Sequence, residues 1–143
     1  MTVNNAMRVA ASIIAGALIA GAVQAQNYPT KPVRMIVPFV AGGNTDIIAR
    51  AFAPAMSEIM GQQIVVENRG GAGGVIGTEV VARAAPDGYT LLLAVSTLAT
   101  NPAIYRKVPY NAVTDFAPIT LVLSAPNILV VHPSLPVKTV KEL

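Results

Sequence analysis

Residues 34–46 read Arg34-Met35-Ile36-Val37-Pro38-Phe39-Val40-Ala41-Gly42-Gly43-Asn44-Thr45-Asp46, and this stretch decides the fold. Arg34 to Val40 is a short apolar run bounded by turn residues, the pattern of a strand buried on both faces of a parallel sheet. Pro38 lies near its C-terminal end, where a missing N–H does least harm. Ala41 to Thr45 is a tight loop. From Asp46 to Met60 the apolar residues Ile47, Ile48, Ala51, Phe52, Ala55, Met56, Ile59 and Met60 advance by four and predict a helix with one apolar stripe. Asn44 or Thr45 can cap it, and Asp46 suits its positive end. Asp46 and Arg50 are also an i,i+4 pair. Gly61 is the C-terminal stop. Pro54 removes the bond to the Arg50 carbonyl and predicts a kink.

Outward from this unit the pattern repeats. Gln63 to Asn68 is a second strand, and Arg69 to Gly74 is a glycine-rich loop. A second helix is predicted from Val75 to Ala85, with Glu79 and Arg83 paired at i,i+4. Pro86-Asp87-Gly88 is a turn. Thr90 to Val95 is a third strand, Ser96 to Asn101 a polar loop, and Pro102 to Tyr105 one helical turn. The order β-α-β-α-β at this spacing implies a parallel sheet with helices on its faces and right-handed crossovers. Phe116 to Ser124 and Asn127 to Val131 are two further strand-like runs. Thr139-Val140-Lys141-Glu142 is a capping box that opens a helix. The chain stops at Leu143, one residue later, so a longer protein is expected.

The 143 residues are 53% hydrophobic and 12% charged. That charge is about half the ~25% of an ordinary soluble domain, and the first 25 residues account for part of the deficit. Arg8 is the only cation before an apolar run from Val9 to Val23, and Val23-Gln24-Ala25 offers a small-residue cleavage site. This is the pattern of a secretory signal cut after Ala25. The run is short of the ~20 residues that span a bilayer. Removing 25 residues leaves 118, with nine basic and seven acidic side chains, a net charge of +2. The bases do not cluster, which excludes a nucleic-acid binder. Cysteine is absent, so the fold relies on its core rather than disulfides, and zinc-thiolate and redox chemistry are excluded.

Three loops lie beyond the carboxyl ends of the predicted strands, where ligands bind in open parallel sheets. In the first, Gly42 and Gly43 precede a helix N-terminus whose free N–H groups suit an anion. The same residues also suit an ordinary turn that requires positive φ. The second loop, with Gly71, Gly73 and Gly77, is one residue too long for the dinucleotide fingerprint and lacks the P-loop Lys-Ser/Thr pair. The third offers the hydroxyls of Ser96, Thr97 and Thr100 and the Asn101 amide, for a small polar ligand or for local loop bonds. His132 is the only histidine, no nucleophile elbow accompanies it, no acids form a close pair, and metal-ligand spacing is absent. No catalytic residue is therefore assigned.

Four segments, YPTKPVRMIVPFVAGGNTDIIAR (28–50), GQQIVVENRGGAGGVIGTEVVARAAPDGYTLLLAVST (61–97), NPAIY (101–105) and DFAPITLV (115–122), closely resemble the Bug-type extracytoplasmic solute receptors. These are the substrate-binding subunits of tripartite tricarboxylate transporters. The resemblance covers Tyr28 to Leu143. It implies the parallel-sheet α/β lobe of a two-lobed, type II-like periplasmic binding protein, truncated in the second lobe. Residues 26–115 would be the incomplete first lobe, and 116–143 the crossover and the start of the second.

By this resemblance the ligand is a small organic acid, held largely by backbone N–H groups and water. Phe39, Ala41, Gly42, Gly43 and Asp46 would bind in the first loop, with Asp46 mainly bracing it. Ser96, Thr97 and Asn101 would bind in the third. No metal or other cofactor is implied. The partners would be the membrane permease subunits, and the receptor a periplasmic monomer. A sensor docking on a receptor kinase, or an exported α/β enzyme with its catalytic residues beyond Leu143, are the alternatives. Two departures stand out: Val40-Ala41 replaces a frequent family proline, and Pro54 interrupts a helix that is usually unbroken.

Overall fold

The computed structural model of the protein describes residues 28–126 and 128–143. The export signal expected over residues 1–25 lies outside them. The elements in order are β1 (Val33–Val37), α1 (Asn44–Met60), β2 (Ile64–Asn68), a 3-10 turn (Ala72–Gly74), α2 (Val75–Ala82), β3 (Thr90–Leu92), α3 (Thr97–Ile104) and a terminal 3-10 turn (Val140–Glu142). The three strands form one parallel sheet in the order β2-β1-β3. Val33 to Val37 pair with Ile64 to Asn68 on one edge, and Arg34 to Ile36 pair with Thr90 to Leu92 on the other. The α/β reading with a parallel sheet is therefore correct.

β1 is the centre of the sheet. Val33, Ile36 and Val37 are fully buried. Val33, Met35 and Val37 point to one face by the two-residue pleat, and there they form a core with Ile64, Ala49 and Ala53. Ile36 points to the other face, where α2 packs on β1 and β3. The chain crosses from β1 to β2 in one direction and from β2 past β1 to β3 in the other. Right-handed crossovers then place α1 and α2 on opposite faces.

The stripe of α1 is narrower than predicted. Ala49 and Ala53 are its buried positions, with Phe52, Met56 and Met60 flanking them. Ile47 and Ile59 are 61% and 85% exposed, and Ala51 and Ala55 are exposed as well. Small side chains face the sheet because they let the helix axis come close to it. The larger isoleucines fall on the flank. α1 also begins earlier than expected: Gly43 is the N-cap, and neither Asn44 nor Thr45 makes a capping side-chain bond. The helix runs unbroken across Pro54 to its αL stop at Gly61. The exposed position of Pro54 puts the unpaired Arg50 carbonyl on the water side.

Other boundaries move inward. α2 ends at Ala82 rather than Ala85, and β3 at Leu92 rather than Val95. The polar loop predicted over Ser96 to Asn101 is instead the first part of α3, which takes in Pro102. Its hydroxyl and amide side chains read as loop formers, but here they decorate a helix. The runs 116–126 and 128–131 form no strand among the described residues. A strand needs a ladder partner, both edges of β1 are occupied, and neither β2 nor β3 pairs with these runs. Their apolar side chains, such as Ile119, Leu121 and Leu129, stay exposed. The capping box forms as predicted: the Glu142 carboxylate accepts from the Lys138 and Thr139 N–H groups at 2.6 and 3.3 Å.

Upstream of β1, the Tyr28 hydroxyl donates to the Gly88 carbonyl at 2.6 Å, and the Tyr89 hydroxyl accepts from the Thr30 N–H at 2.9 Å. These bonds tie the segment before β1 to the turn that leads into β3. No helix among the described residues is long and apolar enough to cross a membrane.

Gly77 marks the closest approach of α2 to the sheet. A Cβ built there would lie 2.5 Å from the Arg69 carbonyl oxygen and 2.7 Å from Pro38 Cα, both backbone atoms with no freedom to yield. Gly77→Ala should therefore destabilise the fold by about 1–3 kcal/mol through overpacking, read as a lower midpoint in urea denaturation.

Candidate functional site

The strand order places a topological switch between β1 and β3. The chain leaves the end of β1 toward one side of the sheet and the end of β3 toward the other. In open parallel sheets the crevice at such a point is where ligands bind. The loops after β1 and β3 open onto it, and the glycine-rich loop after β2 packs against both, with Gly70 beside Val40 and Gly74 beside Phe39 and Thr97. Both switch-point loops lead into helices, α1 and α3.

The loop after β1 is held by a closed circuit of hydrogen bonds. The Gly42 N–H donates to Asp46 Oδ2 at 2.8 Å. Arg50 Nε donates to Asp46 Oδ1 at 2.9 Å, and Arg50 Nη2 to Asn68 Oδ1 at 3.0 Å. Asn68 Nδ2 then donates to the Phe39 carbonyl at 3.2 Å. The circuit thus leaves the loop at Phe39 and rejoins it at Gly42. Gly42 adopts φ +79°, a conformation that favours glycine, with open space where a Cβ would stand. Asp46 is only 3% exposed. The Arg50 guanidinium, followed by the Gly42 N–H, lowers its pKa from 3.8 to about 2. A neutralised carboxylate does not oppose an anion at the adjacent helix end.

α1 has no side-chain cap, and its first intrahelical bond runs from the Ile47 N–H to the Gly43 carbonyl at 3.0 Å. The N–H groups of Asn44, Thr45 and Asp46 precede that bond and have no partner within the helix. α3 begins in the same way. Ser96 is its N-cap without a side-chain bond, and the Ala99 and Thr100 N–H groups both donate to the Ser96 carbonyl at 3.1 Å. The Thr97 N–H lies ahead of these. Two uncapped helix N-termini thus stand beyond neighbouring parallel strands, and each carries partial positive charge.

The eight residues assigned from the sequence fall into distinct places. Gly42 and Asp46 bond each other, so the Gly42 N–H is occupied within the loop. Gly43 caps α1, and Ala41 is exposed at the tip of the loop. The Phe39 ring packs on the core. A Cβ at Gly74 would meet Phe39 Cζ at 3.4 Å and Thr97 Oγ1 at 3.5 Å, so all three loops converge there. Ser96 is exposed at the start of α3. Asn101 is buried, and its Nδ2 donates to the Gly73 carbonyl at 3.1 Å, bracing the glycine-rich loop.

Asn68 and Arg50 are the residues that sequence reasoning did not bring to the site. The i,i+4 spacing showed Arg50 its partner Asp46, but nothing local could show that β2 would deliver Asn68 to the end of β1. Glu67, beside Asn68, binds Arg34 at 2.7 Å and also Arg69, and both bonds lower its pKa, that to Arg34 more strongly. No group of three or more metal-ligating side chains occurs among the described residues.

The sequence model described as "Tripartite tricarboxylate transporter family receptor" matches residues 48–143. The chain belongs to this family. It is 44% identical to Protein BugT of Bordetella pertussis over 137 residues, covering 94% of this chain and 42% of BugT. Among solved structures it is similar to the periplasmic binding protein BugD, with 52% identity and TM-score 0.63 over 64% of this chain and 31% of BugD. It is also similar to Rpa4515 of R. palustris, solved with adipate, with 40% identity and TM-score 0.69 over 80% of this chain and 39% of that one. The chain therefore spans about two fifths of the length of BugT.

The depressed Asp46 pKa has a stability consequence. A carboxyl whose folded pKa lies below its unfolded value contributes stability above the unfolded value, here 3.8, and loses it as pH falls toward about 2. Asp46→Asn should destabilise the protein near neutral pH, and the gap to the parent should close as pH drops through that window. Urea denaturation at a series of pH values measures this, and a constant gap would exclude the linkage.

Proposed function

We propose that the chain is the ligand-binding first lobe of a periplasmic receptor that captures a small organic carboxylate for a tripartite transporter. The observation that carries this is the pair of uncapped helix N-termini at the switch point between β1 and β3. Backbone N–H groups at a helix start form a ready anion site. The N–H groups of Asn44, Thr45 and Thr97 are the donors, and Gly43, Ala41, Phe39 and Ser96 shape the approach. Asp46 and Asn101 act from beneath, holding the two loops. The +2 net charge of residues 26–143 is compatible with an acidic solute.

Membership of a receptor family and the adipate held by a related structure support the substrate class. The signal pattern of residues 1–25 supports export, with cleavage after Ala25. Residues 26–115 serve as the first lobe, and 116–143 lead toward a second that closes on the ligand. The receptor works as a monomer, binds without turning the ligand over, and hands it to membrane permease subunits.

Titration of the isotopically labelled chain with succinate, malate or adipate should shift the amide resonances of Asn44, Thr45 and Thr97 in a saturable way. One lobe alone should bind in about the millimolar range, near 4 kcal/mol, and chloride at equal ionic strength should not reproduce the shifts. The ligand spectrum should stay unchanged over time. Shifts spread evenly over the surface, or appearance of a product, would contradict the reading.

A further inference from the structure

We propose that Asn68, acting with Arg50, is a positioning residue that sets the geometry of the anion loop from the neighbouring strand. The inference rests on the carboxylate-binding reading and extends it to residues that touch no ligand. Asn68 is the last residue of β2, directly opposite Val37 at the end of β1. Its side chain faces two different demands at once. Nδ2 donates to the Phe39 carbonyl, where the loop begins, and Oδ1 accepts from Arg50 Nη2. An amide is the group that presents one donor and one acceptor from a single planar head.

Arg50 likewise divides its guanidinium, with Nε on Asp46 and Nη2 on Asn68. A lysine ammonium is a point charge on a flexible stem and does not reproduce this fork. The result is mechanical. Residues 39–42 are held at both ends, at Phe39 through the strand and at Gly42 through the helix. The N–H groups of the first turn of α1 are thereby aimed before a ligand arrives. Pre-organisation of this kind lowers the ordering cost of binding. Asn68 is half-buried and Arg50 exposed, so neither forms part of the apolar core.

Asn68→Leu removes both amide bonds while keeping a side chain of four heavy atoms branched at Cγ, and Arg50→Lys keeps a charge for Asp46 while losing the second arm. Both are compared with the parent by succinate titration followed at the Asn44, Thr45 and Thr97 amides, and by hydrogen exchange at the Gly42 amide. The carbonyl-carbon shift of Phe39 is followed in Asn68→Leu. Each variant should weaken succinate binding about five- to tenfold, the scale of one or two lost hydrogen bonds. Gly42 exchange should accelerate and, in Asn68→Leu, the Phe39 carbonyl signal should move.

Parent-like binding by either folded variant would overturn the positioning role. Should Asn68→Leu fail to fold, Arg50→Lys decides alone, because its side chain is exposed. If the parent itself shows no succinate-induced shifts, the carboxylate reading fails. Exchange at Gly42 then still judges the positioning role, and unchanged exchange in the variants overturns it.

Discussion

The structure depends on β1 being paired on both edges and covered on both faces. Val33, Ile36 and Val37 have no contact with water. A strand in this position cannot continue past the sheet, because its backbone would lose both ladders at once. The chain must turn at Pro38 and Phe39, and it does so at the one place where the strand order reverses. The loop after β1 is therefore a consequence of how the core closes. Its location follows from the sheet, and its chemistry follows from the helix that begins there.

The electrostatics of the loop follow from the same arrangement. A helix N-terminus attracts anions, but a buried carboxylate in the first turn of that helix would repel them. The bond between Asp46 and Arg50 removes that conflict while keeping the carboxylate as an acceptor for the Gly42 N–H. Asn68 then connects this local unit to the strand beside it. The second glycine-rich loop has a different task. Gly77, just beyond it in α2, admits the Arg69 carbonyl and Pro38, and the Gly73 carbonyl receives the Asn101 amide, so these glycines serve packing.

Much of the first half of the fold was legible from residue patterns. The apolar run at β1, the QIVVEN run at β2 and the stop at Gly61 name their elements because each uses a local rule of burial, pairing or left-handed backbone. The ion pairs Asp46–Arg50 and Glu79–Arg83 followed from helical spacing alone. The errors have equally specific causes. Thr97, Thr100 and Asn101 resemble a polar loop because their side chains compete with backbone bonds, yet packing against the glycine-rich loop holds them in α3. The isoleucines of α1 looked like its core, but a helix lying close on a sheet prefers Ala49 and Ala53 at the contact.

By itself the sequence determined the alternation of strands and helices, the parallel sheet and the family resemblance, since each depends on residues near one another in the chain. Tertiary structure decided which loops share the crevice. The order β2-β1-β3 sets the loops after β1 and β3 side by side, and the glycine-rich loop after β2 packs against both. It also decided the partner of Arg50, because Asn68 is 18 residues away and meets it only when β2 pairs with β1. Local patterns encode periodicity and capping. Contacts between distant residues depend on the order in which strands assemble, which no single segment specifies.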